Sequence, residues 1–340
     1  MKPKRVTIKD LAKELKVSPS TISRALQDSY QIGEETKKAI WELAKKWNYK
    51  PNLVAKRLIK QKSFTVGVIV PEVSYYFNAT LIKGLEDILL KEGFNLIICQ
   101  THESYEREIL HCEFLMASQV DGIISSISGE TQQMSHFYNI LEAGMPMVLF
   151  DRGFNVPNVS KVMIDNVEAG RVAVAHLIDT GCKRIAYLQG PESLPIGNAR
   201  KKGYQKALAE AGVSFDRKLV SHCKFGSDMG FSNAKKMLEM PEPPDAFFCI
   251  NDRIGMGTMA AIREKGLRIP EDISVIGFND EPYAKLLNPK LTTIEQPAFQ
   301  MGQEAAKMFF YQLKTDEPEI LTKILPTKLI IRESTKGIVN

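Results

Sequence analysis

The chain has 340 residues, of which 44% are hydrophobic and 25% charged; this is the composition of a folded protein and excludes a largely disordered or fibrous chain. A chain of this length exceeds one hydrophobic core, so two or three domains are expected. No run of about eighteen apolar residues is present, and the basic N-terminus lacks the apolar stretch of a signal peptide, so we expect no membrane partner and a cytoplasmic location.

The charge is unevenly distributed along the chain. Residues 1–62 carry 16 Lys and Arg against 6 Asp and Glu, a net charge of +10, whereas residues 63–340 carry 29 against 34, a net charge of −5. A strongly basic head on a mildly acidic body predicts that the head meets a polyanion. A solubilising basic tail is the alternative, but regularly spaced aliphatics and two tryptophans show that the head can fold.

Three short helices are predicted in the head. Thr7 and Asp10 suit the start of the first helix, and Ser18 with Pro19 suits the start of the second. The third is expected from about residue 34 to 47. Each helix has one apolar face, formed in turn by Ile8, Leu11, Ala12 and Leu15, by Ile22, Ala25 and Leu26, and by Ile40, Leu43, Ala44 and Trp47.

Two short helices joined by a tight turn and supported by a third form a helix-turn-helix, whose second helix enters the major groove of DNA. Arg24 can then make a bidentate contact to guanine. A helical bundle that contacts another protein is the alternative. The candidate DNA-contacting residues of the head are Thr7, Ser18, Pro19, Ser20, Thr21, Ser23 and Arg24.

The segment TIKDLAKELKVSPSTISRALQDS resembles the helix-turn-helix of the lactose/galactose repressor (LacI/GalR) family of bacterial transcription regulators, and YKPNLVAKRLIKQKS resembles that family's hinge. The resemblance implies a head over residues 1–50 and a hinge over 51–62. It also implies that Asn52, Ala55 and Leu58 contact DNA, with Leu58 wedged into the minor groove at the operator centre. An apolar wedge of this kind unstacks a base step and bends the duplex.

From residue 64 onward, apolar runs of strand length alternate with amphipathic stretches of helix length. This rhythm predicts parallel sheets covered by helices on both faces. About nine such units exceed one doubly wound sheet, so two similar lobes are expected. The predicted strands cover 64–70, 94–100, 121–127, 146–150, 161–165, 184–189, 219–224, 245–250 and 273–278, and the helices about 78–92, 105–118, 133–143, 167–180, 198–211, 228–238 and 253–265.

The body, residues 63–340, resembles the periplasmic sugar-binding protein fold that this family carries as its effector-binding and dimerisation domain. The resemblance implies an α/β body of two doubly wound parallel sheets. The first lobe would comprise about residues 63–162 and 293–324, and the second about 163–292 and 325–340. The chain would cross between the lobes near 161–166, 291–296 and 323–327.

Polar residues follow several predicted strands, where open α/β sheets bind ligands. Matched to the family, these positions imply an effector, usually a sugar, held by Phe77, Asn78, Asp151, Asn198, Arg200, Phe225, Asn251 and Asn279. Any one of them could instead be a loop cap. The family most often has aspartate where this chain has Asn279. The loop 192–197 lacks the arginine of a purine-binding member, so a purine is not expected.

The sequence predicts no enzyme, no metal site and no cofactor. The five cysteines form no C-x-x-C pair, the histidines have no H-E-x-x-H context, and neither G-x-S-x-G nor a phosphate-binding glycine motif is present. We therefore expect a bacterial DNA-binding regulator, a repressor located at operator DNA, that is controlled by a small polar effector.

Each helix-turn-helix reads one half of a palindrome, so a homodimer is expected. The alternatives are a corepressor-dependent member of the family, a sugar-binding protein without a DNA role, and an α/β enzyme with a fused helix-turn-helix. Tetramers of the family can use an extra C-terminal helix with leucine heptads, and the segment STKGIVN offers none, so a dimer is preferred over a tetramer.

Overall fold

The computed structural model describes residues 6–26, 28–49, 62–153, 156–192, 194–222 and 224–337. The chain divides into two units, residues 1–63 and 64–340. Asn52, Ala55 and Leu58 of the predicted hinge lie outside the described residues.

The first unit contains the three predicted helices, α1 (Ile8–Glu14), α2 (Pro19–Leu26) and α3 (Glu34–Lys46). Its core consists of Leu11, Ala12, Ile22, Ala25, Ile40 and Ala44.

The starts of α1 and α2 are fixed by side chains, as the sequence predicts. At α1, the Thr7 backbone N–H donates to Asp10 Oδ2 (2.8 Å) while Thr7 Oγ1 accepts from the Asp10 amide (3.4 Å), which is a capping box. At α2, Ser18 Oγ accepts from the Thr21 amide (3.1 Å). These caps set the turn between the two helices and thus the direction in which α2 points.

In the second unit most strands are followed by an α-helix. Its strands are β1 (Thr65–Val70), β2 (Asn95–Gln100), β3 (Ile123–Ser125), β4 (Met147–Phe150), β5 (Ser160–Ile164), β6 (Ile185–Leu188), β7 (Val220–Ser221), β8 (Ala246–Cys249), β9 (Ser274–Phe278), β10 (Thr292–Glu295), β11 (Thr322–Leu325) and β12 (Lys328–Ile330). Its helices are α4 (Tyr76–Leu89), α5 (Tyr105–Ala117), α6 (Ser135–Glu142), α7 (Asn166–Asp179), α8 (Pro195–Glu210), α9 (Ser227–Leu238), α10 (Asp252–Glu264) and α11 (Ala298–Lys314). Strands β4, β9 and β11 lead to the next strand without an α-helix.

The strands form two six-stranded sheets, one in each lobe. The first sheet has the order β11-β5-β4-β3-β1-β2 and the second β12-β10-β9-β8-β6-β7. All neighbours pair in parallel except β12, which is antiparallel to β10. The predicted pair of doubly wound sheets is therefore confirmed, with one antiparallel edge strand in the second sheet.

The chain crosses between the lobes three times, after β5, after β10 and between β11 and β12. Residues 163–164 belong to the first sheet and residues 293–295 to the second, so these two crossings fall two or three residues later than the lobe boundaries taken from the family resemblance.

The 17-residue helix α11 was not among the predicted helices. It packs closely on α4 in the first lobe. A Cβ atom on Gly302 would lie 2.1 Å from the Leu81 carbonyl oxygen, and one on Gly84 would lie 2.0 Å from the Phe299 carbonyl oxygen, so glycine is needed at both contacts.

Candidate functional site

The start of α2 presents small polar side chains and one arginine. Ser18, Pro19, Ser20 and Arg24 are exposed, and Thr21 and Ser23 are half-buried. The Ser18 hydroxyl lies 2.7 Å from that of Ser20 and 2.9 Å from that of Thr21. Because Ile22 and Ala25 anchor the opposite face in the core, this polar face is held in a fixed orientation.

A second candidate site is a cleft between the two lobes of the body. It opens beyond the carboxyl ends of the parallel strands, and about 520 Å³ of space lies within it, including the part open to solvent. Its lining comes from both lobes: Tyr75, Phe77, Asn78, Asp151, Arg152, Ile196, Arg200, Phe225, Ile250, Asn251, Arg253, Asn279, Glu281 and Gln296.

Arg200 on α8 is the most deeply buried charge in the cleft, with 2% of its surface exposed. Its Nε donates to Asn166 Oδ1 (2.9 Å), its Nη1 donates to the Ile250 carbonyl (2.7 Å), and its guanidinium lies 3.4 Å from the centre of the Phe278 ring. Burial lowers the pKa of Arg200 to about 10, so the side chain stays charged at neutral pH.

Asp151 comes from the first lobe, directly after β4, in a left-handed backbone conformation (φ 60°). The residue is 6% exposed, and its Oδ1 has no hydrogen-bond partner among the described residues. Burial raises the pKa of the Asp151 carboxyl. A buried carboxylate oxygen without a donor is costly, so it favours a ligand that brings one.

Arg152 is paired within its own lobe. It donates from Nη1 to Glu103 Oε2 (2.6 Å) and from Nη2 to Glu103 Oε1 (3.1 Å), and the same Oε2 accepts from the Gly129 amide (2.7 Å). This bidentate pair neutralises the arginine and ties the loop after β2 to the end of β4, and the Gly129 amide joins the loop after β3 to the same carboxylate. Arg152 Nε is buried without a hydrogen-bond partner among the described residues, as is Oε1 of Gln296.

Two of the predicted asparagines also have structural roles. Asn251 Oδ1 caps α10 by accepting from the Ile254 amide (2.9 Å), and Asn279 Oδ1 accepts from Gln296 Nε2 (2.7 Å). Both still line the cleft, so capping and ligand contact are not exclusive here.

The structure brings seven of the eight predicted effector residues together and leaves Asn198 out. Asn198 Oδ1 accepts from Gln189 Nε2 (2.9 Å), its Nδ2 donates to the Glu192 carbonyl (3.1 Å), and it lines a neighbouring cavity. In the structure the Asn198 amide holds the loop before α8, and an effector contact by Asn198 stays a prediction.

Seven lining residues were absent from the predicted set: Tyr75, Arg152, Ile196, Ile250, Arg253, Glu281 and Gln296. Arg152 and Arg253 lie within two residues of predicted ones, so their position near strand ends was a usable signal. Gln296 follows β10 at a lobe crossing, and no local pattern marks it.

The described residues contain no helix that is long and apolar enough to span a membrane. Within the same ranges, His, Cys, Asp and Glu form no group of three that could hold a metal ion.

Asp252 is a fully buried residue that directly follows the cleft residue Asn251. Its Oδ1 accepts from Thr293 Oγ1 (2.6 Å) and its Oδ2 accepts from the Glu281 amide (2.7 Å), which joins α10 to β10 and to the turn after β9. Burial raises the pKa of this carboxyl to about 8.

This pKa predicts a pH dependence of stability. Between pH ~4, where an unfolded Asp titrates, and pH ~8, the folded chain holds a proton that the unfolded chain has released, so stability falls as pH rises through this window. Asp252→Asn can keep both hydrogen bonds, since its amide can donate to the Thr293 hydroxyl. Because the amide does not titrate, the free energy of unfolding of this variant should change less with pH than that of the wild type. Urea unfolding of both proteins from pH 5 to pH 9 measures the two slopes, and equal slopes would contradict the assignment.

Two family models match the chain. Residues 7–52 match "Bacterial regulatory proteins, lacI family", and residues 174–335 match "Periplasmic binding protein-like domain". The catabolite control protein A of Priestia megaterium is 32% identical over 97% of this chain and 99% of its own length. The ribose operon repressor of Halalkalibacterium halodurans is 31% identical over 97% of both chains.

A solved structure also aligns along the whole chain. The transcriptional regulator CelR in complex with cellobiose superposes with a TM-score of 0.75 and 30% identity, over 97% of this chain and 100% of its own. The similarity therefore extends over both the helical head and the two-lobed body.

Proposed function

The chain belongs to the lacI family of bacterial regulatory proteins, and from that premise we propose that it is a transcriptional repressor that binds a palindromic operator as a homodimer under the control of a small polar effector. One observation carries the proposal: a single chain joins a helix-turn-helix with an exposed polar face to a cleft in which three buried polar atoms have no hydrogen-bond partner among the described residues. Relatives that match nearly the whole chain are named as a ribose operon repressor, an HTH-type transcriptional repressor and an HTH-type transcriptional regulator.

The effector class follows from the atoms in the cleft. Asp151 Oδ1 and Gln296 Oε1 need donors, while Arg152 Nε needs an acceptor. A hydroxyl group both donates and accepts, so a sugar or sugar derivative fits this mixed set. The cellobiose bound to CelR is an example of such a ligand in a similar fold.

For operator recognition, we propose that α2 reads base edges in the major groove and that Ser18, Ser20 and Thr21 approach phosphates at its start. The proposal extends to the hinge, where the family resemblance assigns Asn52, Ala55 and Leu58 to operator contacts.

Arg24→Ala should weaken operator binding by about 1–3 kcal/mol, because a bidentate arginine–guanine contact contributes that much discrimination. Binding to random DNA should change far less. Fluorescence anisotropy on an operator duplex and a scrambled duplex of equal length measures both losses. Equal losses on the two duplexes would make Arg24 a phosphate contact and would contradict its role in base recognition.

The homodimer is supported by an apolar surface on the first lobe. Leu110 and Phe114 lie one turn apart on α5 and are 60% and 52% exposed, and Ile98 on the edge strand β2 is 43% exposed. Exposed apolar side chains grouped on neighbouring elements are typical of a protein interface.

Leu110→Asp combined with Phe114→Asp should convert the dimer to monomers, since two buried charges would oppose association. Ile331, a similarly exposed aliphatic of the second lobe (55%), provides the control variant Ile331→Asp. Sedimentation equilibrium gives the mass of each protein. An unchanged dimer in the double variant would place the interface elsewhere.

Effector binding should depend on Arg200. Arg200→Met keeps a side chain against Phe278 but removes the donors, and a lost hydrogen bond to a charged group costs about 1.5–3 kcal/mol, or roughly 10- to 150-fold in effector affinity. A thermal-shift panel of sugars, sugar acids and nucleosides identifies the effector, because binding stabilises the folded chain.

Operator titrations with and without that effector then compare wild type, Arg200→Met and the control Lys206→Ala, an exposed change on the same helix. Ligand-free operator affinity should be unchanged in all three. If Arg200→Met responds at the same effector concentration as wild type, the cleft is not the effector site. An effector that strengthens operator binding would identify a corepressor.

A further inference from the structure

Arg253 connects the two lobes at the mouth of the cleft. It stands in the first turn of α10 in the second lobe, and its Nη2 donates to the carbonyl of Ser74 in the first lobe (2.9 Å). Its guanidinium also lies 4.8 Å from the centre of the Tyr75 ring. Within its own lobe it has a looser ion pair, with Nε 3.8 Å from Glu281 Oε2.

Aromatic contacts continue this bridge. The Tyr75 ring meets the Phe225 ring of the second lobe edge to face, with centroids 6.4 Å apart. Phe225 in turn lies 5.6 Å from the guanidinium carbon of Arg152 in the first lobe. The four side chains therefore alternate between the lobes, and all four line the cleft.

We propose that Arg253, Tyr75 and Phe225 form a latch that holds the lobes closed across the mouth of the cleft. Separating the lobes breaks the Arg253–Ser74, Arg253–Tyr75 and Tyr75–Phe225 contacts together, because each joins one lobe to the other. A set of contacts that is lost in one step favours two discrete arrangements, closed and open.

The latch has a consequence for ligand exchange, and this consequence alone rests on the proposed function. A molecule bound against Asp151 and Arg200 lies in a cleft bordered by the latch residues, so its release requires the latch to open. Arg253 and Tyr75 then control how long the effector stays bound.

Hydrogen–deuterium exchange on the full-length, ligand-free chain tests the latch itself. In Arg253→Gln, the segments 73–78 and 224–228 should both exchange faster, by roughly tenfold, because a cation–π contact and a charge-assisted hydrogen bond are lost. Arg253 touches the first segment directly, whereas the second is reached through Tyr75 and Phe225. Arg263→Gln, which removes the same charge from the exposed last turn of the same helix, should change neither.

Faster exchange confined to 73–78 would make Arg253 a local anchor of that loop and would overturn the latch, as would no change in either segment. Tyr75→Leu provides a second variant that leaves every charge in place and should accelerate exchange at 224–228 to a similar extent. No effector or DNA is used, so failure of the latch and failure of the proposed function are separate outcomes.

Discussion

The arrangement of the cleft depends on one buried charge, that of Arg200. Its guanidinium is fixed by Asn166 at the start of α7, by the Ile250 carbonyl after β8 and by the Phe278 ring at the end of β9. Burying a cation without an ion pair is unfavourable unless its hydrogen bonds are made. The second lobe supplies two hydrogen bonds and the face of an aromatic ring, from three elements, and the arginine in turn holds the strand ends that line the cleft.

The first lobe also buries an ionisable group at the cleft, the carboxyl of Asp151, whose charge is opposite to that of Arg200. Asp151 is buried, and its Oδ1 has no hydrogen-bond partner among the described residues, whereas two nitrogens of its neighbour Arg152 are held by Glu103. Asp151 and Arg200 thus offer a ligand one charged group from each lobe. A ligand that contacts both stabilises one lobe arrangement over another, and only such a difference in affinity can shift the population.

Most of the fold could be predicted because parallel strands and their covering helices have a periodicity that is visible locally. The helix α11 was missed because it follows the second lobe crossing, outside the regular alternation. The rule that polar residues directly after strands line a ligand site predicted most of the cleft. Asn198 is an exception, because its amide forms hydrogen bonds that hold the loop before α8. The position of Arg253 near a strand end was visible locally, but its contacts with Ser74 and Tyr75, like the place of Gln296 in the cleft, arise only when the two lobes face each other.

Only strand β1 and the short segments on either side of it separate the predicted hinge from the cleft residue Tyr75 in the sequence. Strand β1 has six residues, all of them buried; all six pair with β2, Gly67–Ile69 also pair with β3, and the strand spans ~20 Å at the usual rise. It follows the predicted hinge at one end, and Ser74 and Tyr75 come four and five residues after its other end. A closely packed strand transmits displacement with little deformation. The proposed control of operator binding by an effector would start from a change in lobe arrangement at the Tyr75 end of β1, and by linkage operator binding would then change effector affinity by the same factor.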